Sequence, residues 1–204
     1  MAEERVFFRS DGLEIEGLID NSPGEEAVVV THPHPLYGGN MRNNVVASVV
    51  RAYRQKGYTT LRFNFRGVGR SEGSHDKGQG ERNDVRAALD YLRELGKSSI
   101  DLAGYSFGAW VNAMAHGNSV HAGRIILISP PVSVMDFSFL AYSSKIRLVI
   151  TGSEDEISSP SMIREILPAW NPEADFEIIQ GADHFYWGST DEIEVAIRNF
   201  LVPK

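Results

Sequence analysis

A chain of 204 residues, 42% hydrophobic and 23% charged, has the make-up of a single globular domain, 1–204, with one substantial core. A formal net charge of −7 argues against a general nucleic-acid binder, which needs a basic face to displace counterions. The complete lack of cysteine excludes thiol nucleophiles, thiolate metal sites and disulfides. No stretch approaches the roughly 18 apolar residues of a membrane span. No long apolar run comes after the first five residues, so no signal peptide is expected and the chain reads as cytoplasmic.

The first element is a hairpin. Strands at about 4–9 and 12–19 flank Ser10-Asp11-Gly12, and Asp-Gly is a strong turn signal. Leu13, Ile15 and Ile19 alternate with Glu14, Glu16 and Asp20, as on a strand with one wet face. The pattern then changes to continuous apolar runs at Ala27–Val30, Leu61–Phe65, Ile100–Ala103, Ile125–Ile128, Ile146–Ile150 and Phe176–Ile179. Strands that are apolar on both faces imply a sheet covered on both sides. Helical patterns lie between them. Val45–Lys56 stops at Gly57; Val85, Ala88, Leu89 and Leu92 form a stripe that stops near Gly96; Ala109–Ala115 forms another helix. Ser159-Pro160 opens a further helix at N-cap and N1. Ser189 and Glu192 have capping-box spacing ahead of a last helix whose buried face is Ile193, Ile197, Phe200 and Leu201. An antiparallel start and then alternating strands and helices predict a three-layer α/β sandwich with a mostly parallel central sheet. In such sheets, ligands sit at the carboxyl ends of the strands.

The segments just beyond the strands carry the chemistry. Ile100–Ala103 runs into Gly104-Tyr105-Ser106-Phe107-Gly108 and then a helix. A sharp turn there lifts the Ser106 hydroxyl off the sheet edge, and flanking side chains larger than glycine would collide with backbone. The Phe107 N–H at the helix start favours a developing oxyanion. Ala27–Val30 ends in Thr31-His32-Pro33-His34-Pro35-Leu36-Tyr37-Gly38-Gly39, the source of a second oxyanion N–H. Pro33 and Pro35 cannot donate, so His34 leads as donor, with Leu36 and Tyr37 next. A His32/His34 metal pair finds no third ligand cluster nearby in sequence, so no metal is expected; the His32 ring is expected to pack at the sheet end.

His184 comes after the last strand, from where a ring can reach back to the serine as its base. His75, His116 and His121 sit in polar loop or helix-end contexts and read as surface residues. Ile146–Ile150 leads to Asp155, three residues past Gly152, as the carboxylate that orients the imidazole. Glu154 and Glu156 read as solvated charges. Asp183 adjoins His184 in the chain but is expected to diverge from it, and Asp136 is a weaker alternative. Gly67-x-Gly69 comes after a strand, but its third glycine, Gly73, is at the wrong spacing for a dinucleotide loop, so no cofactor is expected.

Together these landmarks resemble the α/β-hydrolase superfamily over nearly the whole chain. They are the hairpin, His32-Pro33-His34-Pro35, Asn64-Phe65-Arg66-Gly67-Val68-Gly69-Arg70-Ser71, Gly104–Gly108, Gly152–Asp155 and Asp183-His184. The order Ser, Asp, His is that superfamily's order. The His-Pro-His-Pro segment is similar to that of small, lid-poor bacterial hydrolases near the dienelactone-hydrolase and esterase branches. The resemblance places His34 at the oxyanion position. It implies ester hydrolysis through Ser106, His184 and Asp155, with Phe107 and His34 as oxyanion donors and no cofactor. The family's cap normally enters after the strand at Ile125–Ile128, and the stretch 129–145 is too short for a full one. That stretch is expected to form either a flap or pocket wall, or a surface helix with its aromatics turned inward. An open site suits small or short-acyl esters, with Leu36, Tyr37, Phe185, Tyr186 and Trp187 as lining. Thioesters and amides are alternatives on the same machinery, and a non-catalytic binding protein is the alternative of another class. The partner is then a small-molecule ester, and the chain a monomer or small homo-oligomer.

Overall fold

The computed structural model describes residues 3–116 and 122–202, so His121 lies outside the described residues. The chain opens with β1 (Glu4–Ser10) and β2 (Leu13–Asp20), paired antiparallel. Asp11 and Gly12 between them both take positive φ, 50° and 83°, the tight-turn geometry that Asp-Gly favours. Next come β3 (Glu26–Thr31), α1 (Asn44–Gln55), β4 (Thr59–Phe63), α2 (Glu81–Glu94), β5 (Ser99–Tyr105) and α3 (Phe107–His116). The rest are β6 (Ile125–Ile128), β7 (Ile146–Gly152), α4 (Pro160–Trp170), β8 (Asp175–Ile179) and α5 (Thr190–Phe200).

All eight strands form one sheet in the order β1-β2-β4-β3-β5-β6-β7-β8. The β1–β2 and β2–β4 pairs are antiparallel and the rest parallel. From β3 the chain steps out to β4, then returns past β3 to lay down β5 and continues the other way. That reversal puts the carboxyl ends of β3 and β5 side by side at a topological switch point, where a crevice opens in α/β sheets.

The period-two alternation divides the core in two. On one face Val28, Val30, Ala103, Tyr105, Ile126 and Ile128 pack against α1 and α5. On the other, Ala27, Val29, Ile100, Leu102, Ile125 and Leu127 pack against α2, α3 and α4. Each such aliphatic side chain, if fully buried, contributes about 1.5–3 kcal/mol relative to exposure. A bulge in β7 interrupts the alternation. Ile125 pairs Ile146 but Ile126 pairs Leu148, leaving Arg147 as the extra residue, turned to solvent.

The helix starts obey local chemistry in part. Asn43 caps α1, its side chain accepting from Val45 N–H at 2.9 Å. Pro160 sits in the first turn of α4, as expected. The capping box expected at Ser189 does not form: Ser189 is the N-cap residue of α5, but its side chain makes no capping bond. Of the expected α5 face, Ile193, Ile197 and Leu201 are buried and Phe200 half-buried. No helix among the described residues is long and apolar enough to cross a membrane.

Candidate active site

Ser106 stands between β5 and α3 with φ at +54°, in the left-handed region, and its N–H donates to Ile128 O at 2.9 Å. The two glycines around it are sterically required. A Cβ at Gly104 would lie 2.4 Å from Asn112 Nδ2 and 2.6 Å from Thr31 Oγ1. One at Gly108 would lie 2.6 Å from Thr31 Oγ1 and 2.8 Å from His32 O. The start of α3 thus abuts the end of β3. As first residue of α3, Phe107 has an N–H with no acceptor in its own helix.

Ser106 Oγ lies 2.9 Å from His184 Nε2, and His184 Nδ1 lies 2.9 and 3.0 Å from the two oxygens of Asp155. The structure therefore brings the three expected residues from β5, β7 and β8 into one hydrogen-bonded chain. Asp155 is itself held firmly. Its Oδ1 accepts from the N–H groups of Ile157 (3.0 Å) and Ser158 (2.7 Å), and its Oδ2 accepts from Ser129 Oγ at 2.7 Å. Burial opposes its ionisation, but the bonds from His184, Ser129 and Ser158 outweigh that, and the carboxyl sits below its usual range. His184 is fixed at its backbone too, where Tyr105 Oη donates to His184 O at 2.6 Å.

The competing acids lie elsewhere. Asp183 accepts from Phe185 and Tyr186 N–H and caps its own turn, while Asp136 accepts from Ser138 N–H and Oγ. Glu154 and Glu156 are exposed. Two histidines that read as surface residues have structural partners: His116 meets Ser143 Oγ at 2.6 Å, and His75 pairs with the fully buried Glu81 at 2.8 Å.

His32 is fully buried, and both its ring nitrogens are engaged. Nε2 accepts from Phe65 N–H at 3.1 Å, so Nδ1 carries the proton and donates to Pro33 O at 2.6 Å. Burial drives its pKa down to about 4, so the ring is neutral at pH 7. It ties the loop after β3 to the chain leaving β4. Beyond it, His34 N–H has no acceptor among the described residues, and the His34 ring packs 4.7 Å from that of Phe107. Both expected oxyanion donors thus belong to adjoining segments beside Ser106. Among the described residues no group of three His, Asp or Glu is placed to hold a metal. The Gly67–Gly73 loop opens no helix. Arg66 instead binds Asp84 and Asp11, locking that loop to α2 and the hairpin turn.

Ser106 and His184 open into a cleft of about 630 Å³. Tyr37 and Phe185 line it, as expected, joined by Pro131, Val134, Met135 and Ile157. Leu36 and Tyr186, also expected as lining, do not reach it. Leu36 faces a neighbouring groove. Tyr186 is fully buried beneath the site, its φ at +55° and its hydroxyl 2.6 Å from Ser129 Oγ. Trp187 is 78% exposed and outside the cleft wall. The stretch 129–145 contains no helix. Its start walls the cleft, while Phe137 and Leu140 fold into the core, so both expected roles are divided along it. Ser129 and Tyr186 form a second row behind Asp155 that the sequence does not announce. The one signal for Ser129 is its place immediately after an apolar run.

Comparison with known proteins gives concordant results. Residues 28–148 match the model of the alpha/beta hydrolase family. An uncharacterised protein of Rickettsia prowazekii is 36% identical, over 97% of this chain and 88% of that one. An alpha-beta serine hydrolase homologue from Coxiella burnetii superposes with a TM-score of 0.90 at 30% identity, covering 99% of both chains. A serine hydrolase without a lid from Xanthomonas campestris gives 0.89 at 30% identity, over 98% and 94%. The matched family model and the 36% identical relative, on an eight-stranded sheet that turns sharply at Ser106, show that this chain belongs to the α/β-hydrolase family.

Proposed function

We propose that the protein is a serine hydrolase that cleaves carboxylic esters of small or short-acyl substrates through an acyl-enzyme. The observation that carries this reading is the unbroken chain Ser106 Oγ–His184–Asp155, opening on an apolar cleft. Its direction is set by hydrogen bonding. Asp155, held as carboxylate, accepts from Nδ1–H and leaves Nε2 as the acceptor facing the serine. In the first step Oγ adds to the ester carbonyl as its proton passes to His184 Nε2. The C–O bond to the alcohol then breaks, and the alcohol leaves with that proton. In the second step a water gives a proton to Nε2 as its oxygen adds to the acyl carbon; the bond from that carbon to Oγ then breaks, Oγ takes the proton back from Nε2, and the acid is released. The N–H groups of Phe107 and His34 take the negative charge on the carbonyl oxygen in each addition. The likeness to the Coxiella and Xanthomonas serine hydrolases supports the same reading.

The test is active-site labelling and turnover. Wild-type protein reacts covalently with a fluorophosphonate probe and hydrolyses p-nitrophenyl acetate or butyrate. Ser106→Ala, still folded by circular dichroism, does neither. A folded wild type that takes no label and turns over no ester, thioester or amide would instead point to a binding protein on this fold.

A further inference from the structure

The reaction cleft and the groove beside it differ in charge. The cleft wall includes no Asp, Glu, Lys or Arg; its polar side chains are those of His34, Tyr37, Asn43, Tyr105, Ser106 and His184. Across the Gly38–Gly39 turn, whose two glycines belong to both walls, lies a second groove of about 730 Å³. Arg5, Arg42 and Arg70 line it, with Glu16 as the one carboxylate. Glu16 is already satisfied. It pairs with Arg5 at 3.1 Å, and its other oxygen accepts from Asn64 Nδ2 and Arg70 N–H. Arg42 and Arg70 are both exposed, and neither guanidinium has an acceptor among the described residues. Other arginines of this region are spent on structure: Arg66 on Asp84 and Asp11, Arg62 on Glu3. Two free guanidinium groups therefore sit one loop away from an uncharged reaction cleft, in a protein whose net charge is −7.

We infer that the substrate is an ester with two unlike parts: an uncharged portion seated in the cleft at Ser106, and an anionic terminus, phosphate or carboxylate, received by Arg42 and Arg70 across the Gly38–Gly39 turn. The neutral cleft disfavours a charged group at the reacting carbonyl, since no opposite charge there compensates its desolvation. Each guanidinium matches a phosphate or carboxylate by its donor fork and charge, and both line the same groove. This inference rests on the serine-hydrolase reading, and its test separates the two.

Butanoate monoesters of ethanediol, butanediol and hexanediol are prepared with a terminal phosphate, a terminal carboxylate or, as the neutral partner, a terminal methyl ether. Butanoate release is measured for wild type and the Arg42→Gln/Arg70→Gln double variant. In wild type, kcat/KM favours an anionic ester over its methyl ether at one or more chain lengths. The double variant lowers that ratio about fivefold or more. Raising the ionic strength towards 0.5 M lowers it in wild type, with little effect in the variant. A larger ratio for phosphate than for carboxylate assigns the anion as phosphate, and the reverse assigns carboxylate. Hydrolysis of the methyl ethers with an anion-to-neutral ratio that is the same in both proteins at every length overturns the inference and leaves the hydrolase reading standing. Failure of every ester, with no fluorophosphonate labelling, overturns the hydrolase reading itself.

Discussion

Asp155 illustrates how much of the site is built from groups that never touch a substrate. Its two oxygens receive two backbone N–H groups, the Ser129 hydroxyl and His184 Nδ1, so it is both charged and immobile. Asp155→Asn keeps the shape but presents an amide where the imidazole needs an acceptor, and favours the wrong tautomer. The expected result is a loss in kcat of about 10³- to 10⁴-fold with KM little changed, measured by steady-state ester hydrolysis. A loss under tenfold would mean that the carboxylate does not set the tautomer. At this scale the sequence is legible where an amino-acid type and a chain position coincide. Ser106 between two glycines, His184 after the last run and Asp155 after Gly152 are of that kind. Tyr186 is not. An aromatic residue two places beyond His184 reads as pocket lining, whereas the folded turn, with a positive φ at Tyr186, seats its hydroxyl against Ser129 below the site. His75 and His116 read as surface residues because no local pattern announces their partners, Glu81 at the start of α2 and Ser143 ahead of β7.

Among the elements, the loop after β3 shows how a connection acquires rigidity. His32 bridges Pro33 O and Phe65 N–H as a neutral ring with its pKa lowered from 6.5 to about 4. The folded state resists protonation of His32 while the unfolded chain accepts a proton below pH 6.5. Its contribution is thus fully present above that pH and is lost as pH falls towards 4. The shift corresponds to about 3 kcal/mol. Asp155 acts with the same sign in a lower window, below its ordinary value of 3.8. Urea unfolding at pH 7 and pH 4.5 should show this acid loss in wild type, and His32→Gln should flatten it; an equal slope in both proteins would assign the loss elsewhere. The strands are readable as apolar runs because the sheet is covered on both faces. The β7 bulge at Arg147 is not readable, nor is the way the stretch 129–145 divides between wall and core, because each depends on what the neighbouring layer presents. The Ser189 capping box has the right residues at the right spacing, yet its side-chain bond is missing from the start of α5.

Across the whole molecule, a second buried polar cluster lies at the end of β5 away from the candidate site. Asp101, near the start of β5, is buried and accepts from Tyr53 Oη at 3.0 Å and from Arg124 Nη2 at 2.6 Å, joining β5 to α1 and to the entry of β6. Four residues of strand lie between it and Ser106, five steps and a rise of roughly 16 Å. Asp101→Ala strands Arg124 and the Tyr53 hydroxyl. It should cost about 3 kcal/mol in chemical denaturation while the folded fraction keeps its wild-type kcat. A fall in kcat of the folded fraction would show that the two ends communicate. The fold class itself is legible from the succession of runs and helical stripes, since few layer arrangements bury that pattern. The strand order is not, because nothing local dictates that β4 lies outside β3.

The stretch 129–145 gives Pro131, Val134 and Met135 to one wall of the cleft and Phe137 and Leu140 to the interior, and contains no helix that could fold over as a roof. Reactants can therefore come and go without waiting for a hinge to swing. Discrimination must then reside in fixed contours and charges rather than in a closing motion that inspects each visitor.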